Sequence, residues 1–216
     1  MRIARAFFAR PALEVAPEML GLLLVHELAD GTRLVGRIVE VEAYLGDGSD
    51  PASHSHNGPT PRTQPMFGPP GHFYVYRSMG IHRCANVVCE PAGRSSAVLL
   101  RAAEPLAGEE RMRALRGGRG GRELASGPGR LAEAFAIELA HSGAEALRGP
   151  LRLERPARAA ATPLAVEIVV GPRIGLTKAA ELPYRFFVRG SPHVTRAAQN
   201  AHARPWRRAA RAGGGH

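Results

Sequence analysis

Arg33-Leu34-Val35-Gly36-Arg37-Ile38-Val39-Glu40-Val41-Glu42-Ala43-Tyr44 is the stretch on which the fold turns. Its β-branched residues and its period of two predict a long strand. Simple alternation puts Ile38, Glu40, Glu42 and Tyr44 on one face and Val39, Val41 and Ala43 on the other. Two acids and a tyrosine closing such a strand are unusual if that face is core. Upstream, Ala12, Leu13, Val15, Met19 and Leu20 have helical spacing, residues 22–28 read as a strand, and Asp30-Gly31 signals a turn. Downstream, residues 46–71 form a long stretch rich in Gly, Pro, Ser, His and Thr, and a loop of that length inside a domain is usually functional. Residues 73–76 and 85–88 then read as strands flanking Arg77 to Arg83, with Gly80 at the turn of a hairpin. Residues 97–102 predict another strand, 111–122 a flexible basic loop, 131–139 a helix, and 166–170 and 185–188 late strands. Strands dominate and helices are peripheral, so the class is α+β in a single domain, residues 1–203. Residues 204–216 are basic and Gly-rich and are expected to be a disordered tail.

The chain has 216 residues and a net charge of +10, and Lys178 is its only lysine. The first 108 residues balance 10 Arg against 10 Asp and Glu, whereas the rest carries 18 Arg and Lys178 against nine Glu. That surplus suits a polyanion, of which nucleic acid is the commonest. The abundance of Ala, Gly, Arg and Pro is also what a GC-rich genome produces, so charge alone does not decide. Cys84 and Cys89 are too few for a Cys-only zinc site and are expected to be reduced thiols in a cytosol. The longest apolar run, around Gly21, is too short to span a membrane, and Glu14 and Glu18 argue against a transit peptide.

Glu40 and Glu42 share a strand face, roughly 6–7 Å apart. Neighbours on one strand cannot flank a scissile bond, so one acid is read as a general base and the other as structural. His54 and His56 with Glu42 could bind zinc, but no metalloenzyme spacing accompanies them, and hydrogen-bonding loop histidines are the favoured reading. Tyr44, His54, Tyr74 and Tyr76 are flat groups near a carboxylate in a chain poor in aromatics, which suggests a stacking pocket for a planar ligand. Ordinary packing is the alternative, above all for Tyr74. A Schiff-base mechanism needs an amine, and only Lys178 or the N-terminus could supply one, so activated water is the expected nucleophile.

These residues, in this order, resemble the alkyladenine (methylpurine, or 3-methyladenine) DNA glycosylases. The resemblance is carried by Val41-Glu42-Ala43-Tyr44-Leu45-Gly46, Ala52-Ser53-His54-Ser55, Thr60-Pro61-Arg62 and Pro70-Gly71-His72-Phe73-Tyr74-Val75-Tyr76. It continues through Cys84-Ala85-Asn86-Val87, Val98-Leu99-Leu100-Arg101-Ala102, Ser126-Gly127-Pro128, Arg173-Ile174-Gly175 and Phe187-Val188-Arg189-Gly190-Ser191-Pro192. It implies a curved, mainly antiparallel sheet with a hairpin that enters the DNA minor groove. It also implies a monofunctional, cofactor-free and metal-free hydrolase that flips damaged purines from double-stranded DNA. Such an enzyme starts base excision repair, as a monomer in the cytoplasm at the nucleoid. By motif, Glu42 would be the general base, with Arg101 and the backbone carbonyl of Ile174 holding the water. A carboxylate in that role has to be ionised, and a neighbouring guanidinium favours the charged form. Tyr44, His54 and Tyr76 would sandwich the base, and Asn86 would reject the 2-amino group of guanine.

Met79 stands where the family often has a tyrosine wedge, and His82 where a hairpin tyrosine is usual. The segment between Tyr44 and His54 is one residue longer than the family pattern, which leaves His54 and His56 as alternatives. The rival readings are a non-catalytic nucleic-acid-binding module, a purine nucleosidase and a His/Glu metalloenzyme.

Overall fold

The computed structural model describes residues 2–157 and 167–207. Strand β2 (Arg33–Tyr44) lies at the centre of one antiparallel sheet. Along one edge its first half pairs with β1 (Leu23–Glu27) and its second half with β8 (Arg185–Val188). Along the other edge it pairs with β5 (Ala97–Ala107). From β5 the sheet continues to β4 (His82–Val88) and β3 (Phe73–Ser78). From β8 it runs to β7 (Ile168–Gly171) and β9 (Arg204–Pro205), while β1 also pairs with β6 (Leu151–Glu154). The helices α1 (Ala12–Met19), α2 (Glu109–Leu115) and α3 (Pro128–Ala134) are short, so the chain is α+β, a single domain with an open sheet.

The simple alternation along β2 fails at its middle. Ile38 faces Ala103 and Glu40 faces Ala102, so Val39 is an extra residue; Val41 then faces Leu100, so Arg101 is extra on β5. Each extra residue is a β-bulge, and a bulge reverses the parity of inside and outside beyond it. Leu34 and Ile38 before the bulge therefore join Val41 and Ala43 after it in the main core. Val39 packs in a second cluster with Ala102, Phe187 and Val188. Ile38 thus does not share a face with Glu42, and Glu40 and Glu42 are fully buried rather than solvated.

The expected 111–122 loop is helical in its first part. Glu109 and Glu110 open α2 as acids at a helix N-terminus, Glu109 pairs with Arg113 one turn on, and Met112 is buried. The helix read over 131–139 starts earlier and stops at Ala134, because Ala136 turns the chain with φ 51°. Strand β5 runs five residues beyond the expected 97–102. Arg204 and Pro205 pair with β7, so the start of the expected tail is sheet; residues 208–216 lie outside the described residues, as does Val166 of the expected 166–170 strand. No helix among the described residues is long and apolar enough to cross a membrane.

The hairpin turn has positive φ at both central residues, Met79 (49°) and Gly80 (72°), and Ile81 N–H donates to Ser78 C=O at 3.0 Å. Mirror-image turns of this kind suit the right-handed twist of the flanking strands. Glycine adopts that backbone freely, whereas methionine does so under strain. Met79 is 89% exposed and Ile81 73%, so the tip presents apolar side chains to solvent.

Candidate active site

The second half of β2 places Glu42 and Tyr44 beside Arg101, which sits on the β5 bulge. Glu42 accepts two hydrogen bonds and makes one ion pair. Ile174 N–H donates to Oε1 at 2.8 Å, and the Tyr44 hydroxyl donates to Oε2 at 2.9 Å. Arg101 Nη1 lies 3.1 Å from Oε2. Burial, and then the charge of Glu42, push the Tyr44 hydroxyl well above its ordinary range, so it stays protonated and donates. The contact from residue 174 is its amide, whereas the expectation named its carbonyl.

Glu40, one pleat away, is equally buried. Its Oε1 accepts from Arg101 Nε (3.0 Å) and Arg185 Nε (2.8 Å), and its Oε2 from Thr195 N–H (2.8 Å). Burial alone would raise its carboxyl, but Arg101, Arg185 and the Thr195 amide outweigh that and hold it below the usual carboxylate range.

Tyr44, His54, Tyr76 and Asn86 line one small cavity of about 60 Å³, together with Ala52, Met66, Tyr74 and Leu176. Tyr74 and Tyr76 stack at 5.4 Å, and Asn86 Nδ2 donates to Tyr74 C=O. His54 lines this cavity and His56 does not. The His54 ring meets Tyr76 edge-on, with centroids 4.4 Å apart at 80°, and its Nδ1 is 3.2 Å from the Tyr74 hydroxyl. A planar ring between two walls needs roughly 7 Å, two contacts of about 3.5 Å each. The aromatic walls are therefore closed on one another, and His54 has to move for a ring to enter. Burial, then the charge of Arg62, lowers the His54 pKa and favours its neutral form.

The larger cavity, about 550 Å³, is a different one. It opens beside Arg101 along the outer half of the hairpin, at Ser78, His82 and Cys84, with Arg116, Arg119, Arg122, Arg130 and Arg196 around it. Met79 lines neither cavity; it sits exposed at the hairpin tip, next to Ser78 of the larger one. Among the described residues, no three His, Cys, Asp or Glu side chains are grouped to hold a metal ion.

Several site residues carried no local signal. Arg173 is fully buried, pairs with Asp50 at 2.6 and 2.7 Å, and lies 4.6 Å over the Tyr44 ring. It ties the 46–71 loop to the segment that presents Ile174 and Leu176. Arg185 and Thr195 are brought to Glu40 from more than a hundred residues away. The one available hint was an arginine directly before Ile174 in the Arg173-Ile174-Gly175 motif.

The site thus joins a buried carboxylate, an arginine and an amide to an aromatic cavity, below an exposed apolar hairpin tip. Sequence comparison identifies the family. The family described as methylpurine-DNA glycosylase matches residues 6–192. A protein of Rhodopseudomonas palustris strain BisB18, provisionally named 3-methyladenine DNA glycosylase, is 51% identical over 196 residues, 90% of this chain and 91% of that one. Proteins with the same provisional name from Methanoculleus marisnigri and Nitrosospira multiformis are 47% and 48% identical. The first alignment covers 91% of this chain and 100% of its relative, the second 88% and 91%. The chain belongs to the methylpurine-DNA glycosylase family.

Proposed function

We propose that this enzyme hydrolyses the N-glycosidic bond of alkylated or deaminated purines in double-stranded DNA and leaves an abasic site. The observation that carries the reading is Glu42: a fully buried carboxylate, held by Arg101, the Ile174 amide and the hydroxyl of Tyr44, whose side chain lines an aromatic cavity with His54, Tyr76 and Asn86. In a duplex the glycosidic bond is hidden, so the nucleotide is extruded before it reacts. Met79 fills the vacated stack, as apolar wedges do. The base enters between Tyr44, Tyr76 and a displaced His54, and Asn86 in the cavity wall rejects the 2-amino group of guanine.

Glu42 takes a proton from water as the water oxygen bonds to the sugar C1′. The electron pair of the glycosidic bond leaves with the base: a purine carrying positive charge on its alkylated ring departs neutral, whereas a deaminated purine departs as its anion and takes a proton from solvent. Arg101, with the Ile174 carbonyl, orients the water and offsets charge developing at the reacting centre. On this reading the nucleophile is water and not an amine, since a Schiff-base step could draw only on Lys178 or the N-terminus. The arginines around the larger cavity hold phosphates without reading sequence. On this reading the enzyme works as a monomer on nucleoid DNA.

The test is excision from duplexes carrying hypoxanthine or an alkylated adenine, scored as alkali-labile sites. Glu42→Gln should bind the duplex and release no base; full activity in that variant refutes the assignment.

A further inference from the structure

The second carboxylate of β2 has a use of its own. Arg101 reaches Glu42 through Nη1, while its Nε is bonded to Glu40 Oε1. A guanidinium otherwise pairs with a carboxylate as a fork, two parallel N–H bonds to two oxygens. Such a fork on Glu42 would cover both carboxylate oxygens, which already carry the Ile174 amide and the Tyr44 hydroxyl. Glu40 occupies Nε, so the side-on fork through Nε and Nη2 is closed to Glu42, and Arg101 meets Glu42 from its Nη1 end. Glu40 is itself held on three sides: Arg185 shares its Oε1, Thr195 N–H binds its Oε2, and Asn200 links the two by accepting from Arg185 and donating to Thr195 C=O. The two β-bulges, at Val39 and at Arg101, place Glu40 against Arg101 in this orientation.

We propose that Glu40 is a positioning residue: by binding Arg101 Nε it withholds the side-on fork from Glu42, holds the guanidinium with Nη1 towards Glu42, and keeps part of the Glu42 carboxylate free for water. This rests on the reading of Glu42 and Arg101 given above. It assigns Glu40 no contact with substrate, and Glu40 lines neither of the two cavities described.

The test measures single-turnover excision, half-saturating lesion duplex and thermal unfolding for the whole chain. Glu40→Gln should lower the rate by about tenfold or more, the scale expected when a catalytic group is misplaced by about 1 Å, and leave half-saturation within about threefold. Glu40→Asp keeps the buried charge balance but withdraws the carboxylate from Nε, and should lose rate comparably. It keeps the test open should Glu40→Gln not fold. On an Arg101→Lys background, which has no Nε–H fork, Glu40→Gln should cost no more than about twofold further. A folded Glu40→Asp enzyme at the wild-type rate overturns the proposal. So does a Glu40→Gln loss that is undiminished in the Arg101→Lys background. An inactive wild type, or an active Glu42→Gln variant, would instead sink the reading of Glu42 itself.

Discussion

Replacing Asp50 with alanine removes the carboxylate that anchors the 46–71 loop. Asp50 accepts from Arg173 Nη1 and Nη2 at 2.6 and 2.7 Å and from the amides of Leu45 and Ala52 at 3.2 and 3.1 Å. Both partners are buried, and Arg173 keeps only the Ala43 carbonyl (3.1 Å) and the faces of Tyr44 and Tyr184 once the carboxylate is gone. Breaking a buried pair from one side costs about 3–5 kcal/mol, because the remaining charge is left uncompensated. For a domain of this size each kcal/mol shifts the midpoint by about 2–4 °C, so thermal unfolding should fall by about 6–20 °C. The assay is a thermal melt followed by circular dichroism at low and high salt. A buried pair is little screened, so the shift should persist at high salt. Excision should fall too, at temperatures where the variant is still folded, because Arg173 fixes the segment that presents Ile174 to Glu42. A midpoint within about 3 °C of wild type, under about 1 kcal/mol, refutes the reasoning.

Tyr44→Phe keeps the aromatic wall but loses the hydroxyl bond to Glu42, a bond to a charged group worth about 1.5–3 kcal/mol, so excision should slow by about tenfold or more while duplex binding persists. An unchanged single-turnover rate argues against it. Glu40 has a depressed folded pKa, so its contribution to stability is present above its unfolded value of about 4.3 and is lost as pH falls through the lower folded value. Urea midpoints should therefore hold from neutral pH to about pH 5 and decline below about pH 4, with a shallower decline in Glu40→Gln. NMR titration of the His54 ring should give a midpoint below 6.5, and Arg62→Gln should raise it, since a neighbouring cation disfavours the imidazolium. Met79→Asn relieves the positive φ at the hairpin tip and should stabilise the fold by about 0.5–1 kcal/mol, yet excision from duplex DNA should drop as the wedge is lost.

The fold was legible where pattern is local. The period of two identified β2, Gly80 marked the hairpin turn, and β8 spans the same residues, Arg185–Val188, that its β-rich run predicts. It was not legible where one residue changes parity, since nothing in Ile38-Val39-Glu40 announces a bulge. The 109–115 helix was hidden because the paired glycines that follow it, Gly117-Gly118 and Gly120-Gly121, dominated the reading of the segment. Of the candidate site, the structure brings Glu42, Tyr44, Arg101 and Ile174 into contact, sets Tyr44, His54, Tyr76 and Asn86 around one cavity, and puts Met79 at the exposed hairpin tip. The anchoring pairs, Asp50 with Arg173 and Glu40 with Arg185, span more than 120 residues, and no local spacing reports a contact of that kind.

The central claim is that the Glu42 carboxylate activates the water that releases a damaged purine. Its most direct measurement is single-turnover release of the base from a duplex with one hypoxanthine or alkylated adenine, comparing wild type with Glu42→Gln at saturating enzyme. The account predicts release by the wild type and none by Glu42→Gln, with both binding the duplex at similar concentrations. Release by Glu42→Gln at the wild-type rate would contradict it.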